Sequence, residues 1–187
     1  HVSQVNETDW SFLERLSREI GFEIAVNEGK FLFRRPVGST TAPADGDYDS
    51  TDPTQLVFGQ DLLEFHPRIS SAEQVGEVVV RGWDMKGKQA VVGRAPASAA
   101  SATLRTGPAQ LAEVFGSPTF TCVDRTLATQ SGVDAMATAL SERIGSAFAE
   151  ATGIARGNPK LKAGTPVNVS VVADDFAGKY VITTSRH

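Results

Sequence analysis

Residues 78–95, VVVRGWDMKGKQAVVGRA, run from Gly82 through Gly87 to Lys88 with the spacing G-x-x-x-x-G-K. In a phosphate-binding loop this spacing lets backbone N–H groups cradle an anion, brings the lysine to the outer phosphates and places a hydroxyl on magnesium. The supporting chemistry is missing here. Gln89 stands where the hydroxyl belongs, Asp84 puts a carboxylate inside the loop, and QAVVGRA continues as a β-branched strand where a helix should open. The stretch is therefore expected to form a hairpin whose turn uses Gly87, with no nucleotide site.

The other reactive residues are equally isolated. Asp45, Asp47 and Asp49 match the opening of a calcium loop, but Ser50 replaces its glycine and Leu56 its bidentate glutamate. His1, His66 and His187 lie far apart in sequence, with none of the spacings that metals favour, and His66 before Pro67 reads as a strand-edge residue. Cys122 has no nucleophile signature around it and reads as a small buried residue. No G-x-S-x-G elbow is present, and the adjacent Asp174 and Asp175 belong in a turn. No catalytic, cofactor-binding or metal-ligating residue is predicted, and no cofactor.

Composition narrows the classes further. With 187 residues and 41% apolar content, the chain can bury roughly 70% of its unfolded surface in one large or two small domains. The net charge of -4 is matched by the four aspartates of ADGDYDSTD alone (Asp45, Asp47, Asp49 and Asp52), so no basic face for specific nucleic-acid binding is expected. No apolar run is long enough for stable membrane insertion, and no secretory leader is recognisable. The single cysteine excludes an internal disulfide and fits a reducing compartment. The start at His1 suggests a piece of a longer protein.

Several elements follow from pattern. ETDWSFLERLSREIG predicts a helix capped by Thr8 and stopped at Gly21, with Phe12, Leu13, Leu16 and Ile20 toward one face. FEIAVNEGKFLFRRP predicts a hairpin, so that residues 1–36 form a small αββ element. Residues 37–53, poor in apolar side chains, predict a flexible linker. Strands are expected in QLVFGQDLLEFHPRIS, GEVVVRGW, KQAVVGRA, TFTCVD and in two runs of the C-terminal segment. GPAQLAEVFG reads as one or two helical turns. SGVDAMATALSERIGSAF reads as a longer helix over 132–147, capped by Ser131, with Met136, Leu140, Ile144 and Phe148 as its core stripe. The pattern is α+β, mostly antiparallel β, and fits a partly closed barrel.

The assembled pieces resemble the phage late control D family, the baseplate hubs of contractile phage tails, together with VgrG spike proteins of type VI secretion and hubs of phage-like contractile injection systems. QVNETDWSFLERLSREIGFEI carries the resemblance through Glu7, Asp9, Phe12, Leu13 and Gly21; the V-x-G-W-D stretch carries it through Gly82, Trp83 and Asp84. The C-terminal segment adds Gly157, Pro159 and Gly164, then Gly178, Tyr180 and His187.

The resemblance implies a tube-like β-barrel over 54–187 with one crossing helix beside the αββ element. It implies a structural role, adapting a six-fold tail tube to a three-fold spike, for a full-length homotrimer that contacts tube and spike proteins. Such a protein would assemble in the cytoplasm and end in a phage tail or injection particle. The named glycines would then be conformational punctuation, and Trp83 and Tyr180 packing residues, with no site among them. A stand-alone β-barrel binding module is the alternative, and an enzyme the more distant one.

Overall fold

The computed structural model describes residues 3–27, 29–44, 51–124 and 126–187. The chain divides into two compact units that interleave in sequence: 1–36, 77–96 and 119–141 make the first, and 37–76, 97–118 and 142–187 the second. The boundaries read from sequence, 1–36, 37–53 and 54–187, do not coincide with these units. Interleaving arises because the hairpin 77–96 makes its sheet and packing contacts with residues some 30 to 50 positions later, which no local pattern reports.

The first unit opens with α1 (Asp9–Glu19). Thr8 caps it, its hydroxyl accepting the Ser11 N–H at 3.2 Å, and Asp9 lies in the positive first turn. The helix stops as expected at Gly21, φ +67°. There the Gly21 and Phe22 N–H groups return to the Arg18 and Ser17 carbonyls, a Schellman closure. Strands β1 (Glu23–Asn27) and β2 (Lys30–Arg34) pair antiparallel as the predicted hairpin. Phe22 packs on Phe33, and Trp10 on Phe31 edge-to-face.

The same unit holds a three-stranded sheet of β5 (Glu77–Asp84), β6 (Gln89–Pro96) and β8 (Thr119–Val123), ordered β6-β5-β8, antiparallel on one side and parallel on the other. Its inner face is Val78, Val80, Val91, Gly93 and Ala95, with Val133 of α3 (Gln130–Ser146) against Gly82 and Gly93. α3 begins one residue before the expected Ser131 cap, and Thr129 takes the capping role by accepting the Gly132 N–H. Leu140 is buried and Met136 only partly so; Phe148, 1% exposed, lies beyond the helix end.

The second unit contains a four-stranded sheet ordered β3-β10-β11-β7, built from β3 (Gln55–Val57), β7 (Ala102–Leu104), β10 (Pro166–Ser170) and β11 (Gly178–Val181). The pair β3/β10 is parallel and the others antiparallel. A separate ribbon pairs β4 (Leu62–Ile69) with β9 (Ala149–Ala155), with a bulge between Leu62 and Glu64. The core gathers Leu56, Leu62, Leu161, Val167 and Val169, with Phe65 and Tyr180 beside it. A second cluster joins Ala102, Phe148 and Ala149. Between these elements lies α2 (Pro108–Glu113), with Pro108 in its first turn and Gln110 accepting the Gly107 N–H.

The α+β class stands, mostly strand with three helices among the described residues; the tube-like β-barrel does not. A barrel needs an unbroken ladder around its circumference. Among the described residues the strands instead form sheets of two, four, two and three strands, and β3 and β7, only three residues each, end the four-stranded sheet without a second partner.

Residues 39–42, which fall in the expected linker over 37–53, are packed structure. Ser39–Thr41 form a 3-10 turn in which Ser39 is fully buried, donating its N–H to the Ala100 carbonyl at 2.8 Å and sharing a hydroxyl hydrogen bond with Thr103. Ala42 is buried too, and its carbonyl accepts from Lys179 Nζ at 3.0 Å. Asp45, Asp47 and Asp49, with the calcium reading, lie outside the described residues.

Candidate interaction surface

The G-x-x-x-x-G-K stretch folds as the β5–β6 hairpin. Asp84 pairs with Gln89 across the ladder, and Asp84 Oδ1 accepts the Lys86 N–H at 2.9 Å, so the carboxylate occupies the donors an anion would need. Gly87 serves differently from the expectation. The positive φ falls on Lys88, at +52°, whereas a Cβ on Gly87 would stand 2.5 Å from Asp84 Oδ2. β6 follows directly, so no helix N-terminus faces the loop.

The remaining motif residues are placed by packing and backbone needs. Glu7 pairs with Arg15 at 2.8 Å, Asp9 accepts from Gln4, Phe12 lies under the Arg15 guanidinium, and Leu13 is half-buried in α1. Gly178, φ +144°, admits β7, because a Cβ there would stand 2.6 Å from the Thr103 carbonyl oxygen. The Gly164 N–H bonds to the Ile182 carbonyl, while Gly157 and Pro159 are exposed in a loop. Tyr180 donates its hydroxyl to the Phe176 carbonyl at 2.8 Å and meets Phe65 edge-to-face; burial pushes its pKa up to about 12. His187 lies 3.1 Å from the Leu161 carbonyl, and His66 is exposed beside Glu64. These residues fall into both units.

Two expectations about side chains need correction. Trp83 is 48% exposed, so it is not a core packing residue: it follows Gly82 on β5, and alternation turns it to the opposite face from buried Val78 and Val80. Cys122 is half-buried, because β8 is an edge strand and only one of its sides is paired. Among the described residues no three His, Cys, Asp or Glu side chains are grouped to hold a metal ion, and no helix is long and apolar enough to cross a membrane.

What the hairpin does present is a surface. On the outer face of β6-β5-β8, Arg81 lies between Val92 and Val123 in register, and Trp83 faces Ala90. Val123 is 68% exposed, and Met85 at the hairpin tip is exposed as well. The sequence suggested a packing role for Trp83 alone of this set; its strand parity relative to Val78 and Val80 was the available signal.

Comparison with known proteins assigns the chain. A search of curated proteins finds no match. The fold is shared with the 43 kDa tail protein of prophage MuSo2 from Shewanella oneidensis, with a TM-score of 0.62 over 96% of this chain at 13% identity. It is also shared with a tail protein from Neisseria meningitidis MC58, with a TM-score of 0.52 over 91% of this chain, again at 13% identity. The chain spans about half of each, 48% and 47% of their lengths. The family model that matches is the Alg8 N-terminal domain, over residues 1–187, and the chain belongs to that family. This overturns the membership of the late control D family that the sequence motifs implied: those motifs consist of helix caps, turn glycines and strand alternation, which folds of different families share.

Proposed function

We propose that this member of the Alg8 N-terminal domain family is a structural component of a phage tail or phage-like injection particle, acting as a baseplate hub between a six-fold tube and a three-fold spike. The observation that carries the proposal is the fold shared with the Shewanella tail protein across 96% of the chain. The described residues support it in kind: glycines fit backbone to backbone, and charged pairs sit at the surface. In this reading the chain works by shape and contact, without catalysis or cofactor. The full-length protein is a homotrimer that meets tube and spike proteins, assembled in the cytoplasm and carried in the particle.

The test is imaging of the assembled particle together with sedimentation of the full-length protein. Three copies on the tail axis, between tube and spike, are expected. A full-length protein that stays monomeric beside tube and spike proteins, or that sits off the axis, overturns the proposal and favours a stand-alone binding module.

A further inference from the structure

The β1–β2 hairpin has two faces of different chemistry. Register places Ile24, Val26, Phe31 and Phe33 on one face, and Glu23, Lys30, Leu32 and Arg34 on the other. Trp10 and Phe22 each reach one phenylalanine of the apolar face, yet Phe31 and Phe33 remain 50% and 41% exposed. Among the described residues no further strand pairs with β2, so its outer edge is free. Asn27 and Lys30 close the hairpin and, as its closing pair, exchange both backbone hydrogen bonds; alternation then leaves Val26/Phe31 and Ile24/Phe33 as non-hydrogen-bonded pairs. The N–H and C=O groups of Phe31 and Phe33 therefore point away from β1. The two residues that expose apolar side chains are also the ones whose backbone groups face the free edge.

That coincidence is the geometry of strand addition, in which backbone hydrogen bonds hold an extended segment and alternate side chains select it. The polar face selects by charge. Arg34 pairs with Glu23 at 2.9 Å, whereas Lys30 makes no ion pair or side-chain hydrogen bond among the described residues. A second copy of β2 laid antiparallel about Leu32 would set Lys30 opposite Arg34 on both sides, like charge against like, which disfavours self-pairing. An acidic strand meets the opposite situation. We propose that the free edge of β2 takes an extended segment of another protein, its apolar residues beside Phe31 and Phe33 alternating with acidic residues beside Lys30 and Arg34. The contact goes beyond the tail reading and does not rest on it.

The probe is a fluorescein-labelled peptide of about seven residues alternating valine and glutamate, titrated with the chain and followed by anisotropy. Saturable binding is expected. Lys30→Glu and Phe31→Ser should each weaken it about fivefold or more, with circular dichroism confirming that both exposed-site variants fold. A peptide with lysine in place of glutamate should bind about tenfold more weakly or not at all. Only alternate N–H groups of an added strand face β2, so backbone N-methylation of one alternate set should abolish binding and of the other set leave it unchanged. No binding at millimolar chain, or binding indifferent to Lys30→Glu or to both N-methylations, overturns the inference. Sedimentation of the chain alone adds a further outcome: self-association that Phe31→Ser removes would place a second copy at this edge and equally overturn it. Each of these results leaves the hub proposal to be decided by imaging of the particle.

Discussion

The Leu127 carbonyl oxygen lies 2.1 Å from where a Cβ on Gly82 would stand, and the same oxygen accepts the Trp83 N–H at 3.0 Å. Backbone thus meets backbone across 45 residues of sequence. An alanine at Gly82 has no flexible side chain to push aside, so the Leu127 segment or β5 must move. Gly82→Ala should cost about 1–3 kcal/mol in urea unfolding. Gly157→Ala, where an added Cβ meets nothing within 4 Å, should change stability by less than about 0.5 kcal/mol. Equal losses at the two positions would contradict the packing described for β5.

Nucleotide with magnesium should not bind at the β5–β6 turn. The Asp84 carboxylate lies within the loop and takes the Lys86 N–H, and the chain continues into β6, so neither a backbone nest nor a helix dipole is offered to phosphate. Calorimetry with millimolar ATP and magnesium should be flat. A saturable heat that disappears in Lys88→Ala would show that the loop rearranges into an anion site.

Features set by local chemistry were readable in the sequence. Thr8 and Gly21 bound α1 through a cap and a left-handed residue, each needing only its neighbours, and the alternation in FEIAVNEGKFLFRRP sufficed for β1 and β2. The hairpin over residues 78–95 was readable for the same reason, since Asp84 and Gln89 act within the loop itself. Features set by distant partners were not readable. AEATGIA has almost no apolar alternation and becomes β9 only through its ladder with β4. Ser39 looks like linker until Ala100 and Thr103 supply its hydrogen bonds. The outer position of Trp83 was available from strand parity, but its size suggested core.

Residues 38–42 should behave as packed structure. The Ser39 N–H donates to Ala100, the Ala42 N–H to Ser39, and the 3-10 turn packs against the four-stranded sheet. Hydrogen exchange should find the Ser39 amide protected well beyond an open loop. Ser39→Ala removes the hydroxyl bond to Thr103 and leaves that buried region one partner short, which should cost about 1–2 kcal/mol. Exchange of the Ser39 amide at the rate of an unstructured peptide would mean that this segment does not close onto the sheet.

Tyr180 gives the fold an alkaline limit. Burial favours the neutral phenol and raises its pKa from 10.0 to about 12, while the hydroxyl donates to the Phe176 carbonyl, a bond that ionisation would destroy. The raised folded-state value means that the unfolded chain releases this proton first as pH rises. The contribution of Tyr180 is therefore complete below pH 10 and is lost as pH climbs toward 12. Urea midpoints measured from pH 8 upward should fall across that window, and Tyr180→Phe should flatten the decline while lowering the neutral-pH midpoint by about 1 kcal/mol equivalent for the lost hydrogen bond. Absorbance titration of the phenolate should show one tyrosine ionising near pH 12 that is absent from the variant. A variant whose alkaline decline matches the parent would place the pH-sensitive group elsewhere in the chain.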